Sequence, residues 1–227
     1  HVDSHLRLGF QPKMIKRILK IGIPNGLENS MFQFGKLMIQ SLVSTLGTSA
    51  IAAFAVASNI VTIEYLPGNA LGLGLITVVG QCVGAGEFEQ AKKYTKKIIA
   101  ANYIILIFVA TGLAVFSTPV VGIYNLSPEA SAIAVSMIVV HSIAMTIWPT
   151  SFTLPNALRA ASDVKFTMTV SVCSMWIFRI GLSYLLILGF QMNIMGVWIA
   201  MFADWLFRDF CFITRFVRGK WSRHLSI

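Results

Sequence analysis

The stretch PNGLENSMFQFGK, Pro24 to Lys36, places a glutamate, two asparagines, a glutamine and a lysine inside a segment, Ile21 to Leu46, that otherwise reads as a membrane-spanning helix. Whether those polar side chains meet lipid, solvent or each other decides how the chain is read. The composition around them settles the class. Of 227 residues, 56% are hydrophobic and 12% charged, and the mean hydropathy is +0.74. That is more apolar surface than a soluble core absorbs, so the expectation is an all-α, polytopic membrane protein.

Apolar stretches of the length a bilayer crossing needs, about 20 helical residues, fall near 22–46, 50–84, 98–118, 129–158, 166–189 and 194–217. Six transmembrane helices follow. The second and fourth are long and contain Pro67 and Pro149 with Pro155, so each is expected to be a single crossing kinked where a backbone donor is missing. The organisation expected is a cytoplasmic linker with a basic interfacial helix over 1–21, a six-helix lobe over 22–217 and a basic tail over 218–227. The opening HVDSHLRLGF has neither an initiator Met nor a signal-peptide core, which leads us to expect a fragment of a longer protein.

The formal charge of +9 is spread between apolar segments and forms no single basic face, so nucleic acid is not the expected partner. Lys and Arg instead alternate by junction. Arg7, Lys13, Lys16, Arg17 and Lys20 lead; Lys92, Lys93, Lys96 and Lys97 follow the second span; Arg159 and Lys165 follow the fourth; Arg215, Arg218, Lys220 and Arg223 close the chain. Junctions around 47–49, 119–128 and 190–193 carry none. The positive-inside rule then puts both termini in the cytoplasm, and the expected location is the plasma membrane.

Projected at about 100° per residue from Glu28, the side chains of Asn25, Asn29, Gln33, Lys36 and Gln40 share one arc of about 140°. Charges within a membrane face a bundle interior or cavity and find partners there. Glu28, Asn29, Gln33, Lys36, Glu64 and Asp204 are therefore candidates for substrate or ion binding, with bundle-holding pairs as the structural alternative. Asp204 and Arg208, spaced i, i+4, suit a helix-face ion pair, and Arg179 in SMWIFRIGLSY is placed to reach Asp204 across the bundle. Glu64 precedes Pro67 by three residues, where freed carbonyls and a carboxylate are suited to hold a cation.

Gly68, Gly72, Gly80 and Gly84 make two small-xxx-small pairs suited to close helix approach. A weak internal echo links VGAGEFEQAKK, closing the second helix, to LRAASDVKF, closing the fourth. Cys82, Cys173 and Cys211 show no metal-ligand spacing. His141 is the sole histidine within a span; His1 and His5 are helix-spaced at the chain start. No nucleophile, base and orienting group assemble, and no P-loop is present. Neither an enzyme nor a cofactor is expected.

Four segments are similar to the second half of a multidrug and toxic compound extrusion (MATE) transporter: KIGIPNGLENSMFQFGKLM, LGTSAIAAFAVASNIVTIEYLPGNALGLGLITVVGQCVGAGEFEQAKKY, LPNALRAASDVKFTMTVSVCSMWIFRIGLSYLL and GVWIAMFADWLFRDFCFITRFVRGKW. The resemblance implies one six-helix lobe of a two-lobe antiporter that exports organic cations and other amphiphiles in exchange for Na⁺ or H⁺. Its implied partners are amphiphilic or cationic small molecules, the lipid bilayer and a missing N-terminal lobe. Some members carry a carboxylate about two turns after the Pro of the first helix, whereas Glu28 lies four residues after Pro24. They also carry an Asp eleven residues before the arginine of the L-R motif, where this chain has Trp148. Two alternatives stand beside antiport: a flippase for lipid-linked oligosaccharides, which a broad basic cavity would favour, and a membrane scaffold with a fully paired polar stripe.

Overall fold

A hydrocarbon core offers the backbone no hydrogen-bond partner, so apolar sequence of this length satisfies its amides within helices. The computed structural model describes residues 12–219 and Trp221. Within them the chain forms α1 (Pro12–Ser44), α2 (Thr48–Gly84), α3 (Phe88–Val115), the short α4 (Ser117–Gly122), α5 (Pro128–Ala144), α6 (Trp148–Ala160), α7 (Val164–Ser174) and α8 (Met195–Val217). Two π-helical segments, Met175–Leu182 and Leu185–Gly189, prolong α7. His1, His5 and most of the basic tail lie outside the described residues.

Six helical columns correspond to the six expected spans. By length and composition, three helices of the described residues suit a crossing (α2, α3 and the extended α7), and a fourth does if α5 and α6 count as one span. The highly charged α1 and α8 are not among them. No break separates the basic stretch from the first span: α1 runs on from Pro12 past Pro24 to Ser44. The expected kinks resolve differently in the two long spans. α2 stays one helix through Pro67, whereas the fourth span bends by 53° between α5 and α6. Pro149 sits in the first turn of α6, where its missing N–H costs nothing and it favours a new helix start.

The junctions rich in Lys and Arg gather at one end of the lobe. There the Arg215 guanidinium donates to both oxygens of Asp163, at 2.7 and 3.0 Å, and Phe88 meets Trp221 edge to face. The two echoing segments adopt one backbone turn. Glu87 N–H donates to Cys82 O and Asp163 N–H to Leu158 O, 2.8 and 2.9 Å, each after a left-handed residue, Gly86 (φ 78°) or Ser162 (φ 65°). Both are Schellman closures. At the opposite end Ser49 donates to Glu129 at 2.8 Å.

The glycine pairs divide. A Cβ on Gly68 would lie 2.5 Å from the Trp148 ring, and one on Gly72 would lie 2.6 Å from Asn156, whereas Gly80 and Gly84 face open space. Only the first pair is required by close approach of α6 to α2.

Candidate functional site

The polar arc of α1 borders a cavity of about 750 Å³, walled also by α2, α5, α6, α8 and the π-helical continuation of α7. Its size falls within the range of small-molecule sites, roughly 300–1,000 Å³. Asn29, Phe32, Lys36 and Gln40 line it from α1, together with the buried Glu28. Gln33, on the same arc, is exposed and does not line the cavity. Glu64 and Asp204 are buried behind the wall.

Glu28 does not stand free. Arg159, 131 residues away on α6, donates to its Oε1 at 2.5 Å and to Asn156 Oδ1 at 3.0 Å. Spacing along the chain contains no trace of this pair. A charge buried near lipid is costly without a partner, and folding supplies one from another helix.

The expected Asp204–Arg208 pair forms at 2.9 Å, and Arg179 approaches the second Asp204 oxygen at 3.9 Å. The buried Arg208 guanidinium also donates to Ser174 Oγ and Ser171 O. It lies over the Phe32 and Phe152 rings, 4.8 and 5.5 Å from their centroids. Cation–π contacts of this kind contribute most where water is excluded. Arg208 thus anchors α8 to α7 while it closes part of the cavity wall. The π-helical stretch holding Arg179 is a distortion of the sort that often accompanies function, and hydropathy alone did not foretell it.

An aromatic ladder forms another part of the wall. Tyr65 stacks on Trp148 at 5.8 Å, and Trp148 stacks on Phe152 at 5.0 Å. Trp148, the departure from the family's acidic pattern, does face the cavity, and it presents a flat apolar surface there. The cavity wall carries four cations, Lys36, Arg159, Arg179 and Arg208, against one carboxylate, Glu28. The wall is basic on balance, even with Asp204 just behind it.

Glu64, buried on α2, is partnered by a histidine from another helix. Its Oε2 lies 2.8 Å from Nδ1 of His141 on α5, and no group of three or more His, Cys, Asp or Glu among the described residues is placed to hold a metal ion. The sequence marks His141 as the sole histidine within a span but assigns it no role, because one histidine in an apolar helix has no spacing to interpret. Its partner is 77 residues away.

Among the described residues, an all-helical lobe with charged and aromatic side chains lining a cavity defines a polytopic membrane protein with the makings of a transport path. The chain belongs to the MatE family, whose model matches residues 24–185. It is 26% identical over 224 residues to a probable multidrug resistance protein NorM of Thermotoga maritima, covering 97% of this chain and 48% of that protein. A probable NorM of Oceanobacillus iheyensis is 30% identical over 187 residues, with 81% and 41% covered. A crystal structure of MATE in the bent conformation shares the fold with a TM-score of 0.86 at 15% identity, over 97% of this chain and 49% of that one. A MOP superfamily transporter from Pyrococcus furiosus, described as having a binding pocket of reverse polarity, gives 0.81 at 17% identity, over 96% of this chain and 48% of that one. The chain spans about half the length of the curated relatives it matches. The family is one of integral membrane transporters that use no cofactor, and it is not a family of enzymes.

Proposed function

We propose that this chain forms one half of a secondary antiporter that exports amphiphilic small molecules, organic cations and drugs among them, in exchange for Na⁺ or H⁺. A second lobe completes it, and both termini of this one face the cytoplasm. The observation that carries the reading is the cavity, where a polar arc on α1 faces the Tyr65–Trp148–Phe152 ladder. Flat aromatic faces accept many flat apolar bodies, and a few polar groups orient them. One charge crossing 100 mV supplies about 2.3 kcal/mol, which supports a concentration gradient without nucleotide.

The excess of cations on the wall favours a second reading, an amphiphile bearing an anionic group, as a lipid-linked oligosaccharide flippase would take. Lys36 has no counter-ion among the described residues. The reverse-polarity pocket described for the Pyrococcus furiosus relative supports considering both signs of substrate.

The test is transport by the complete protein in proteoliposomes without nucleotide, under separately imposed Na⁺ and H⁺ gradients, with a cationic and an anionic aromatic dye. Antiport predicts dye movement under at least one gradient. Preference for the anionic dye selects the second reading, and no movement of either dye removes the efflux reading.

A further inference from the structure

Glu64 and His141 meet in the middle of the lobe, one on α2 and the other on α5, with side chains 0% and 2% exposed. Their contact uses Glu64 Oε2 and His141 Nδ1, which leaves Glu64 Oε1 buried with no hydrogen-bond partner. Two indoles flank the imidazole edge-on, Trp198 at 5.2 Å and Trp205 at 5.5 Å, and both have buried N–H groups without partners. Both members of the dyad are buried. His141, Trp198 and Trp205 belong to the cavity wall.

We propose that Glu64 and His141 form a binding site for a single transported proton, which makes H⁺ the coupling ion of this lobe. With one proton between them the two groups are together uncharged, either as imidazolium with carboxylate or as imidazole with carboxylic acid. Without it a lone carboxylate remains in a desolvated pocket, which is costly. His141, the member of the pair on the cavity wall, is the route by which that proton reaches water or meets a competing charge. His141 Nδ1 is committed to Glu64, so Nε2 is the atom left for exchange. A sodium ion does not suit this place. Hard cations are held by several oxygens, whereas here one carboxylate oxygen already faces a ring nitrogen and no second carboxylate adjoins it among the described residues.

The titratable and charged groups on the surrounding elements have other arrangements. Asp204 and Arg208 on α8 pair with each other, Asp209 on α8 accepts from Ser151, and Tyr103 on α3 shares a hydrogen bond with Thr150 on α6. Glu28 on α1 pairs with Arg159 on α6. Tyr65 on α2 hydrogen-bonds Thr62 and stacks on Trp148. Lys36 on α1 faces the dyad only across the cavity, and Glu129 on α5 is bound to Ser49 at the helix's far end. Among the described residues none of these makes a hydrogen bond or ion pair with either member of the dyad. The dyad is thus a local pair. Charge entering the cavity is the means of biasing it.

The proposal deepens the transport reading and rests on it for the coupling role, but proton binding itself is read without transport. A protonated imidazole beside an indole quenches its fluorescence. Tryptophan emission of the purified complete protein should fall on acidification, and that part of the response should vanish in His141→Gln and shift along the pH axis in Glu64→Gln. In proteoliposomes, Glu64→Gln should lose dye movement driven by an H⁺ gradient while keeping the native helix content and melting temperature in detergent, which certifies folding; Glu64→Asp should restore part of the driven movement. An unchanged acid response in His141→Gln overturns the site. Undiminished H⁺-driven movement in Glu64→Gln, or movement driven by Na⁺ alone in the native protein, overturns its coupling role. Failure of every dye to move, with the quench present, defeats the transport reading and leaves the proton site standing.

Discussion

Trp148 occupies its place because Gly68 has no side chain. The added Cβ of Gly68→Ala would come within 2.5 Å of the indole and 2.9 Å of Leu106, and both are buried. Overpacking of this kind costs about 1–3 kcal/mol. The relief open to the indole is to swing out of the stack between Tyr65 and Phe152. We expect Gly68→Ala to lower the apparent melting temperature in detergent and to weaken binding of an aromatic dye. The equivalent change at Gly80, which faces open space, should leave both unchanged. Equal effects at the two positions would show that the ladder does not depend on the α2–α6 approach.

The two echoing turns show how an element end is specified at the scale of a helix. At the close of α2 the left-handed position is Gly86, which adopts it freely; at the close of α6 it is Ser162. A left-handed conformation costs an L-residue about 1–2 kcal/mol, and the extra freedom of glycine in the unfolded chain takes back about 0.5–1 kcal/mol. Ser162→Gly is therefore expected to stabilise the lobe by about 0.5 kcal/mol, seen as a small rise in melting temperature. Ser162 is exposed and no hydrogen bond involves its side chain, so no contact is lost in exchange. Gly86→Ser should move stability the opposite way, and a Ser162→Gly protein less stable than the native one would contradict this account of the turn.

For the whole molecule, the decisive question is which end of the lobe faces which side. The ends differ in charge: Lys92, Lys93, Lys96 and Lys97 begin α3 at one, while the α1–α2 junction and the turn after α4 carry no Lys or Arg. In a background free of Cys82, Cys173 and Cys211, a membrane-impermeant thiol reagent should label Thr48→Cys and Tyr124→Cys from outside intact cells and should spare Tyr94→Cys. All three positions are exposed in the fold, so protection reports the membrane rather than burial. The reverse labelling pattern would invert the lobe.

Much of this was legible in one dimension. Hydropathy, the alternation of basic junctions and the 100° spacing of the α1 polar arc are properties of consecutive residues, and they yielded six helical columns, the basic end and the Asp204–Arg208 pair one turn apart. The remainder depended on how the helices rotate and pack. Glu28 with Arg159 and Glu64 with His141 join residues 131 and 77 positions apart, and nothing local distinguishes either member from an isolated polar residue in an apolar helix. Packing likewise left Gln33 outside the cavity, carried Trp148 into its wall and gave that wall its excess of cations. Helical periodicity sets the direction of a side chain about its own axis, but its partners are decided by burial, which makes an unpaired charge too costly to leave alone.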